Sequence, residues 1–263
     1  VRVMEPKSLK LNQSVEKVLQ VIEALSSGAG PMRLVDIAAA VKMPQSTALR
    51  LVQTLVAYGY ANQDPDTLKY TLSLKFMQIG NQIRAQNDLL RIVRPYLRRI
   101  ADLTRESVCL SIEEAGEVVY MDVIDGPDGM LQIRQRLGKR APLYCTGSGK
   151  IFLTNRSEQA VLSYFNEVDN VKFTPMTVST ARELLLAVRD ATDHGYALDN
   201  EECELGARCV AVGIRDYNGR YIAAISVSGP VSRLTHDAIK LLVPELLSVS
   251  GEISALFAYK GNR

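Results

Sequence analysis

Residues 33–60 read RLVDIAAAVKMPQSTALRLVQTLVAYGY, two short amphipathic segments on either side of a tight break at Met43–Pro44. In the first segment Ile37, Ala38 and Val41 share one face. In the second, Ala48, Val52, Leu55 and Val56 recur at helical spacing. Pro44 suits the first turn of the second helix, where its missing N–H costs no hydrogen bond. Gln45, Ser46, Thr47 and Arg50 are then left near the N-terminal end of that helix, off its apolar face. A helix-turn-helix reads the major groove with such a stretch, which makes these four the candidate DNA-binding residues. An ordinary helical hairpin with solvated polar residues fits the same segment.

The flanking sequence favours the first reading. Beyond Gly59–Tyr60, the segment ANQDPDTLKYTLS carries a turn signal at Asp64–Pro65–Asp66 between two strand-like pieces, Tyr60–Asn62 and Lys69–Leu72. Before it, NQSVEKVLQVIEALSSG puts Val15, Val18, Leu19, Ile22 and Leu25 on one helix face, with Gly28 beyond the end. Supporting helix, helix, turn, helix, hairpin is the order of a winged helix-turn-helix.

Past the wing, Phe76, Ile79 and Ile83 form one apolar stripe and Leu90, Val93, Leu97 and Ile100 another, with Pro95 read as a new helix start or a kink. The expected organisation is a winged helix-turn-helix over residues 1–75, a connecting helix over 76–94 and a larger mixed domain over 95–263. Within that domain SVCLSIEE and EVVYMDVID read as a hairpin, LQIRQRLG as a further strand, and SEQAVLSYF and TARELLLAVRDATDHG as amphipathic helices, the second ending at Gly195. GARCVAVGIRDYNGRYIAAISVSG reads as a hairpin whose Asn218–Gly219 suits a type I′ turn. A last helix spans about Thr235–Tyr259, bent at Pro244. The fold class is therefore α+β and multidomain.

Composition restricts the function. The chain has 263 residues and a formal charge of +2, so no global basic field points to nucleic acid. Residues 1–80 hold nine Lys/Arg against six Asp/Glu, which places the basic surplus on the proposed DNA-binding part. No run of about eighteen apolar residues occurs, and VRVMEPKSLK puts charges and a proline where a secretory segment would be apolar. A cytoplasmic protein with no membrane partner is expected. Cys109, Cys145, Cys203 and Cys209 show no C-x-x-C spacing, so neither a disulfide scaffold nor a zinc site is read from them.

Enzyme motifs fail on inspection. Around Thr146–Gly147–Ser148–Gly149–Lys150, a nucleophile elbow needs glycine where Thr146 stands. A P-loop needs glycine where Tyr144 stands and Ser or Thr where Ile151 stands. Catalytic histidines must come from His194, at a helix end, or His236, in a first turn, and both read as surface or capping residues. No catalytic residue, metal site or cofactor is assigned. The same region suits ligand binding better, since N–H groups and hydroxyls at a helix start favour an anion, although Thr146 or Ser148 as a simple cap explains it equally. Ser226 and Ser228 fall on one strand face, which water or a ligand can occupy. Asp199 and Cys209 read equally as a turn former and a buried thiol.

Much of the chain resembles one family. Residues 11–75 look like the N-terminal domain of the IclR family of bacterial transcription regulators: LVDIAAAVKM resembles its first motif helix and MPQSTALRLVQTLVAYGY its recognition helix. RAPLYCTGSGKIFL resembles the strand-to-helix segment of the family's effector pocket, and YALDNEECELGARCVAVGIRD with AAISVSGPVSRLT its C-terminal signature. The resemblance implies a GAF-like effector domain in which Gly147, Ser148, Asp199, Cys209, Ser226 and Ser228 line a pocket for a small carboxylate-bearing metabolite, with Met130, Ile133 and Ala141 as its apolar wall. Cys145 stands where the family often has Ala or His, and Tyr144 where a smaller residue is also seen, which leaves the effector's size and polarity open. The resemblance further implies a homodimer, assembled as a dimer of dimers, on a palindromic double-stranded DNA operator. Competing readings are an enzyme whose N-terminal helices serve assembly and a non-sensing architectural DNA binder.

Overall fold

The structure, a computed structural model, describes residues 12–28, 30–86 (backbone only at 83–86), 88–126, 133 and 135–257. The chain divides into two compact units, Val1–Gln86 and Asn87–Arg263.

The first unit holds α1 (Gln13–Ser27), α2 (Leu34–Ala40), α3 (Gln45–Ala57), strands β1 (Ala61–Gln63) and β2 (Tyr70–Leu72), and α4 (Lys75–Gln86). Asn12 caps α1 by accepting from Ser14 N–H at 3.0 Å. Val21, Leu25, Ile37, Val52, Leu55, Ala61 and Tyr70 form its core. The buried face of α1 is thus rotated from the expected stripe: Val21 is fully buried, while Val15 and Leu19 are half exposed. The chain turns between α2 and α3 through Lys42, whose backbone is left-handed (φ 51°), and Pro44 caps α3 from outside its first turn. In the wing, Asp64 Oδ1 accepts from Asp66 N–H at 3.1 Å and Thr67 N–H at 2.7 Å, closing the β1–β2 connection. Phe76 on α4 packs edge-on to Tyr60, with ring centroids 5.3 Å apart, and Lys75 Nζ donates to the Tyr58 carbonyl at 2.8 Å. The side chain of Ile83, the third member of the expected stripe, lies outside the described residues.

The second unit opens with α5 (Asp88–Thr104), β3 (Ser107–Glu114), β4 (Glu117–Ile124), β5 (Arg140–Pro142), α6 (Gly147–Leu153), α7 (Glu158–Glu167) and α8 (Ala181–His194). It continues with β6 (Tyr196–Asn200), β7 (Ala207–Arg215), β8 (Tyr221–Pro230) and α9 (His236–Leu256). The six strands form one antiparallel sheet in the order β5-β4-β3-β8-β7-β6. Period-two alternation divides its residues between two cores. Val108, Leu110, Val210, Val212, Ile225 and Val227 pack with α5 and α9 on one face. Cys109, Tyr120, Ala197, Ala211 and Ala224 pack with α6, α7 and α8 on the other. Helix α8 begins with a capping box from Thr180 and Glu183 and ends on Gly195 at φ 76°. A helix-turn-helix unit followed by an α+β unit is the expected fold class.

Three local expectations change. Pro95 lies inside α5, which starts at Asp88, so residues 76–94 contain the end of one helix and the start of another. Of the expected strand at 131–138, the described residues Ile133 and Gln135–Gly138 form no strand; Gly138 turns the chain at φ 74° with its N–H donating to the Tyr120 carbonyl at 2.8 Å, and the ladder with β4 begins at Arg140. The β7–β8 connection is not type I′, because only Gly219 has positive φ. Gly219 N–H donates to the Asp216 carbonyl at 3.0 Å, a type I turn followed by a left-handed glycine. The type I′ geometry belongs instead to the β3–β4 turn, where Ala115 and Gly116 both have positive φ. The expected helix end at Tyr259 lies outside the described residues.

Helix α6 runs through the helical layer with every residue buried. A Cβ on Gly149 would sit 2.3 Å from both the Cα and the carbonyl oxygen of Leu143, backbone atoms with no room to retreat. Gly149→Ala should therefore destabilise the second unit by at least about 1–3 kcal/mol, seen as a lower urea midpoint at unchanged slope. An unchanged midpoint would mean that this contact is not as close as described.

Candidate functional site

The N-terminal end of α3 presents the first candidate surface. Gln45, Ser46 and Arg50 are exposed and Thr47 is half-buried, while Ala48, Val52 and Leu55 on the opposite side are buried. Thr47 N–H closes on the Pro44 carbonyl at 3.0 Å, so the helix start is fixed without using the polar side chains. All four candidate residues are thus left on or beside the outward face.

The second candidate site is a cavity of about 520 Å³ in the second unit, between the sheet face and the start of α6. Ile133, Ala141, Gly147, Ser148, Asp199, Cys209, Ser226 and Ser228 all line it. Met130, the remaining candidate, lies outside the described residues. The sheet topology explains the convergence. Cys209 is paired with Asp199 on one side and with Ser228 on the other, so β6, β7 and β8 present one polar row. Ser226 and Ser228 are nearly fully buried, alternating with Ile225 and Val227, which face the other core. Their hydroxyls reach the Cys209 thiol, whose pKa burial pushes up to about 12. Opposite, Thr146 caps α6 by accepting from Gly149 N–H at 3.1 Å. The N–H groups of Gly147 and Ser148 have no partner among the described residues. Gly147 allows this close approach, because a Cβ there would lie 3.2 Å from the Ala197 carbonyl and from Ala211 Cβ.

Sequence reading missed several lining residues. Tyr120 on β4 is buried among them, and burial also pushes its phenol well above the usual range. It lies on the Val118 face of its strand, a period-two signal present in EVVYMDVI. Gln135 lines the cavity with a buried Oε1 that has no hydrogen-bond partner among the described residues; nothing in the local sequence marks it. Phe173 and Cys203 come from connecting segments, which carry no periodicity. Tyr144, expected to affect the pocket's size, points into the helical layer, donating to the Val171 carbonyl at 2.8 Å and packing on Phe165.

A buried charged group holds the wall in place. Lys150 on α6 is 4% exposed; its Nζ donates to the Leu198 carbonyl at 2.7 Å and forms an ion pair with Glu202. Asp199 Oδ1 accepts from Glu202 N–H at 2.8 Å and Cys203 N–H at 3.3 Å, so its turn-forming role is realised at the cavity edge. Thr174 and Thr177 donate to the carbonyls of Glu201 and Glu202 at 2.6 and 2.7 Å. Glu202 Oε2 is buried without a partner among the described residues. Burial raises the pKa of both Asp199 and Glu202, opposed by Lys150.

Removing Lys150 therefore leaves carboxylates without their counter-ion. Lys150→Met should cost about 3–5 kcal/mol at neutral pH. A raised folded-state pKa means that the fold holds the Glu202 proton more tightly than the unfolded chain does. The destabilisation should then be largest above the raised pKa and shrink as pH falls toward the ordinary carboxylate range. Denaturant unfolding across pH checks this; a pH-independent loss would contradict it.

Comparison with known proteins places both units in one family. Residues 14–65 match the IclR helix-turn-helix domain model, and residues 82–255 the bacterial transcriptional regulator IclR C-terminal model. The transcriptional regulator KdgR of Escherichia coli is 32% identical over 246 residues, covering 94% of this chain and 93% of that protein. The transcriptional repressor AllR of the same species is 31% identical, covering 89% and 86%. Among solved structures, the Thermotoga maritima IclR superposes with a TM-score of 0.80 at 28% identity over 94% of this chain and 99% of that one. An IclR homologue from Microbacterium hydrocarbonoxydans, solved with 4-hydroxybenzoate, shares the fold with a TM-score of 0.79 at 22% identity, covering 93% and 99%. The chain belongs to the IclR family of bacterial transcription regulators, with a helix-turn-helix DNA-binding domain and a C-terminal effector domain.

Proposed function

We propose that the cavity of the second unit binds a small carboxylate-bearing metabolite and that its occupancy changes the hold of the helix-turn-helix on an operator. The observation that carries this reading is the convergence of Gly147, Ser148, Ser226 and Ser228 on one cavity of about 520 Å³, a size suited to a small organic ligand. The N–H groups of Gly147 and Ser148, unpaired among the described residues, and the two serine hydroxyls offer donors to a carboxylate, while Ile133, Ala141 and Phe173 offer apolar surface. Lys139 at the rim adds a positive charge. Asp199, with Oδ1 engaged by two loop amides, acts chiefly by setting the wall. The 4-hydroxybenzoate held by the Microbacterium homologue is a molecule of this class.

Regulation without catalysis is the favoured reading. Cys203 and Cys209 line the cavity, and both thiols are pushed up in pKa, which leaves too little thiolate for the rapid repeated attack that turnover needs. His194 is exposed at the end of α8 against Asp190, and His236 opens α9. The protein works in the cytoplasm as a homodimer, in pairs of dimers, on a palindromic operator read by Gln45, Ser46, Thr47 and Arg50. Exposed Val15 and Leu19 on α1 and Met77 on α4 support an apolar contact between copies. No helix among the described residues is long and apolar enough to cross a membrane.

Two substitutions test the assignments separately. In a thermal-shift screen of small carboxylic acids that includes 4-hydroxybenzoate, a true ligand raises the melting temperature. Ser226→Ala should weaken that ligand by about tenfold to a hundredfold, the loss of one hydrogen bond to a charged group, while leaving the free protein's melting temperature nearly unchanged. Wild-type affinity by isothermal titration would remove Ser226 from the site. Arg50→Ala should cost about 1–3 kcal/mol of operator affinity with the fold intact. Equal affinity across salt concentrations would remove Arg50 from the interface.

A further inference from the structure

Two of the four cysteines meet across the cavity wall. Cys145 closes the segment between β5 and the cap of α6. Cys203 lies in the loop after β6, half-buried and lining the cavity. The Cys203 thiol donates to the Cys145 carbonyl at 3.1 Å, and the two sulfurs are 3.5 Å apart. A disulfide needs about 2.05 Å between sulfurs, so the gap left to close is about 1.5 Å. Both segments are already anchored, one by Thr146 and Lys150, the other by Asp199, Thr174 and Thr177. The approach is therefore a property of the packed fold and not of a loose loop.

The other two cysteines are placed so that they cannot pair. Cys109 on β3 is opposite Ser226, and Cys209 on β7 is opposite Ser228, so strand β8 lies between them. Two strand spacings, roughly 9–10 Å, exceed the roughly 7 Å limit on Cα separation in a disulfide.

We propose that Cys145 and Cys203 are a redox-closable dithiol, which a hydroperoxide entering the cavity oxidises to a disulfide that clamps the 201–206 loop to the start of α6. The Cys203 sulfur attacks one peroxide oxygen; the O–O bond breaks, Cys203 becomes a sulfenic acid and the other oxygen leaves as an alcohol carrying the thiol proton. The Cys145 sulfur then attacks the sulfenic sulfur, and the hydroxyl leaves with the Cys145 proton as water. Two thiols supply two electrons, and one hydroperoxide yields one alcohol and one water. The hydrogen bond to Cys145 and burial both raise the Cys203 pKa, so little thiolate is present and closure is slow, a response to sustained peroxide. The proposal does not depend on which ligand the cavity takes.

The test uses the full chain, reduced and then exposed to tert-butyl hydroperoxide, denatured with an alkylating agent and mapped by peptide mass under non-reducing conditions. The expected product links the Cys145 and Cys203 peptides, leaves Cys109 and Cys209 alkylated, and returns to four alkylated cysteines after dithiothreitol. Cys109→Ala should still form the link; Cys203→Ala should form none. Amide hydrogen exchange in the 201–206 loop should slow in the linked protein. A link between any other pair, sulfinic acid at Cys203 in place of a link, or four free thiols after prolonged exposure would overturn the pairing. Unchanged exchange in fully linked protein would overturn the clamp.

Discussion

The effector domain depends on one buried ammonium. Lys150 reaches from the middle of α6 to the Leu198 carbonyl and the Glu202 carboxylate, and so joins the central helix, strand β6 and the loop that follows it. Burying such a pair costs desolvation that its attraction repays only in part. What it secures is position: an ammonium with donors fixed on two partners leaves the 199–203 segment one place to sit. That place sets the Asp199 turn, brings Cys203 to Cys145 and closes one side of the cavity. Glycine makes the opposite approach possible. Gly147 lies against β6 and β7 and Gly149 against Leu143, so α6 comes close enough to the sheet for its first amides to join the polar row.

That polar row follows from the sheet. In β8 the order Ile225, Ser226, Val227, Ser228 sends apolar residues to the core shared with α5 and α9, and hydroxyls to the cavity. The neighbouring strands keep the same register, which places Cys109 and Cys209 across from them and Asp199 across from Cys209. A one-residue slip in β8 would bury both serines against Val210 and Val212, where their hydroxyls would find no acceptor. Packing on one face thus fixes the chemistry of the other.

The fold was legible wherever local periodicity and capping carried it. Ser107–Glu114 reads as a strand from its alternation, α8 from Thr180, Glu183 and Gly195, and α3 from its stripe at Ala48, Val52 and Leu55. Errors arose where tertiary contacts choose between equal local options. Val15 and Leu19 belong to a plausible apolar stripe, yet the third wall of the small core selects Val21. The Asn218–Gly219 pair suits two turn types, and the Asp216 side chain, accepting from Asn218 and Arg220 N–H, selects the other one. At the cavity, glycines and strand serines could be placed by resemblance to a known family. Gln135, Phe173 and Cys203 could not be found from the sequence, because they are brought in by loops whose course depends on Lys150, Asp199 and Ser107, whose hydroxyl holds the Ile133 carbonyl at 2.6 Å.

A ligand that regulates DNA binding must be coupled to it in both directions by the same free energy. The most direct test isolates an operator by selecting genomic fragments on the full chain and then measures four dissociation constants. These are operator affinity with and without the stabilising carboxylate, and carboxylate affinity with and without operator. The two ratios should be equal and differ from one by about 5- to 150-fold. A carboxylate that binds the cavity while leaving operator affinity unchanged would contradict the account.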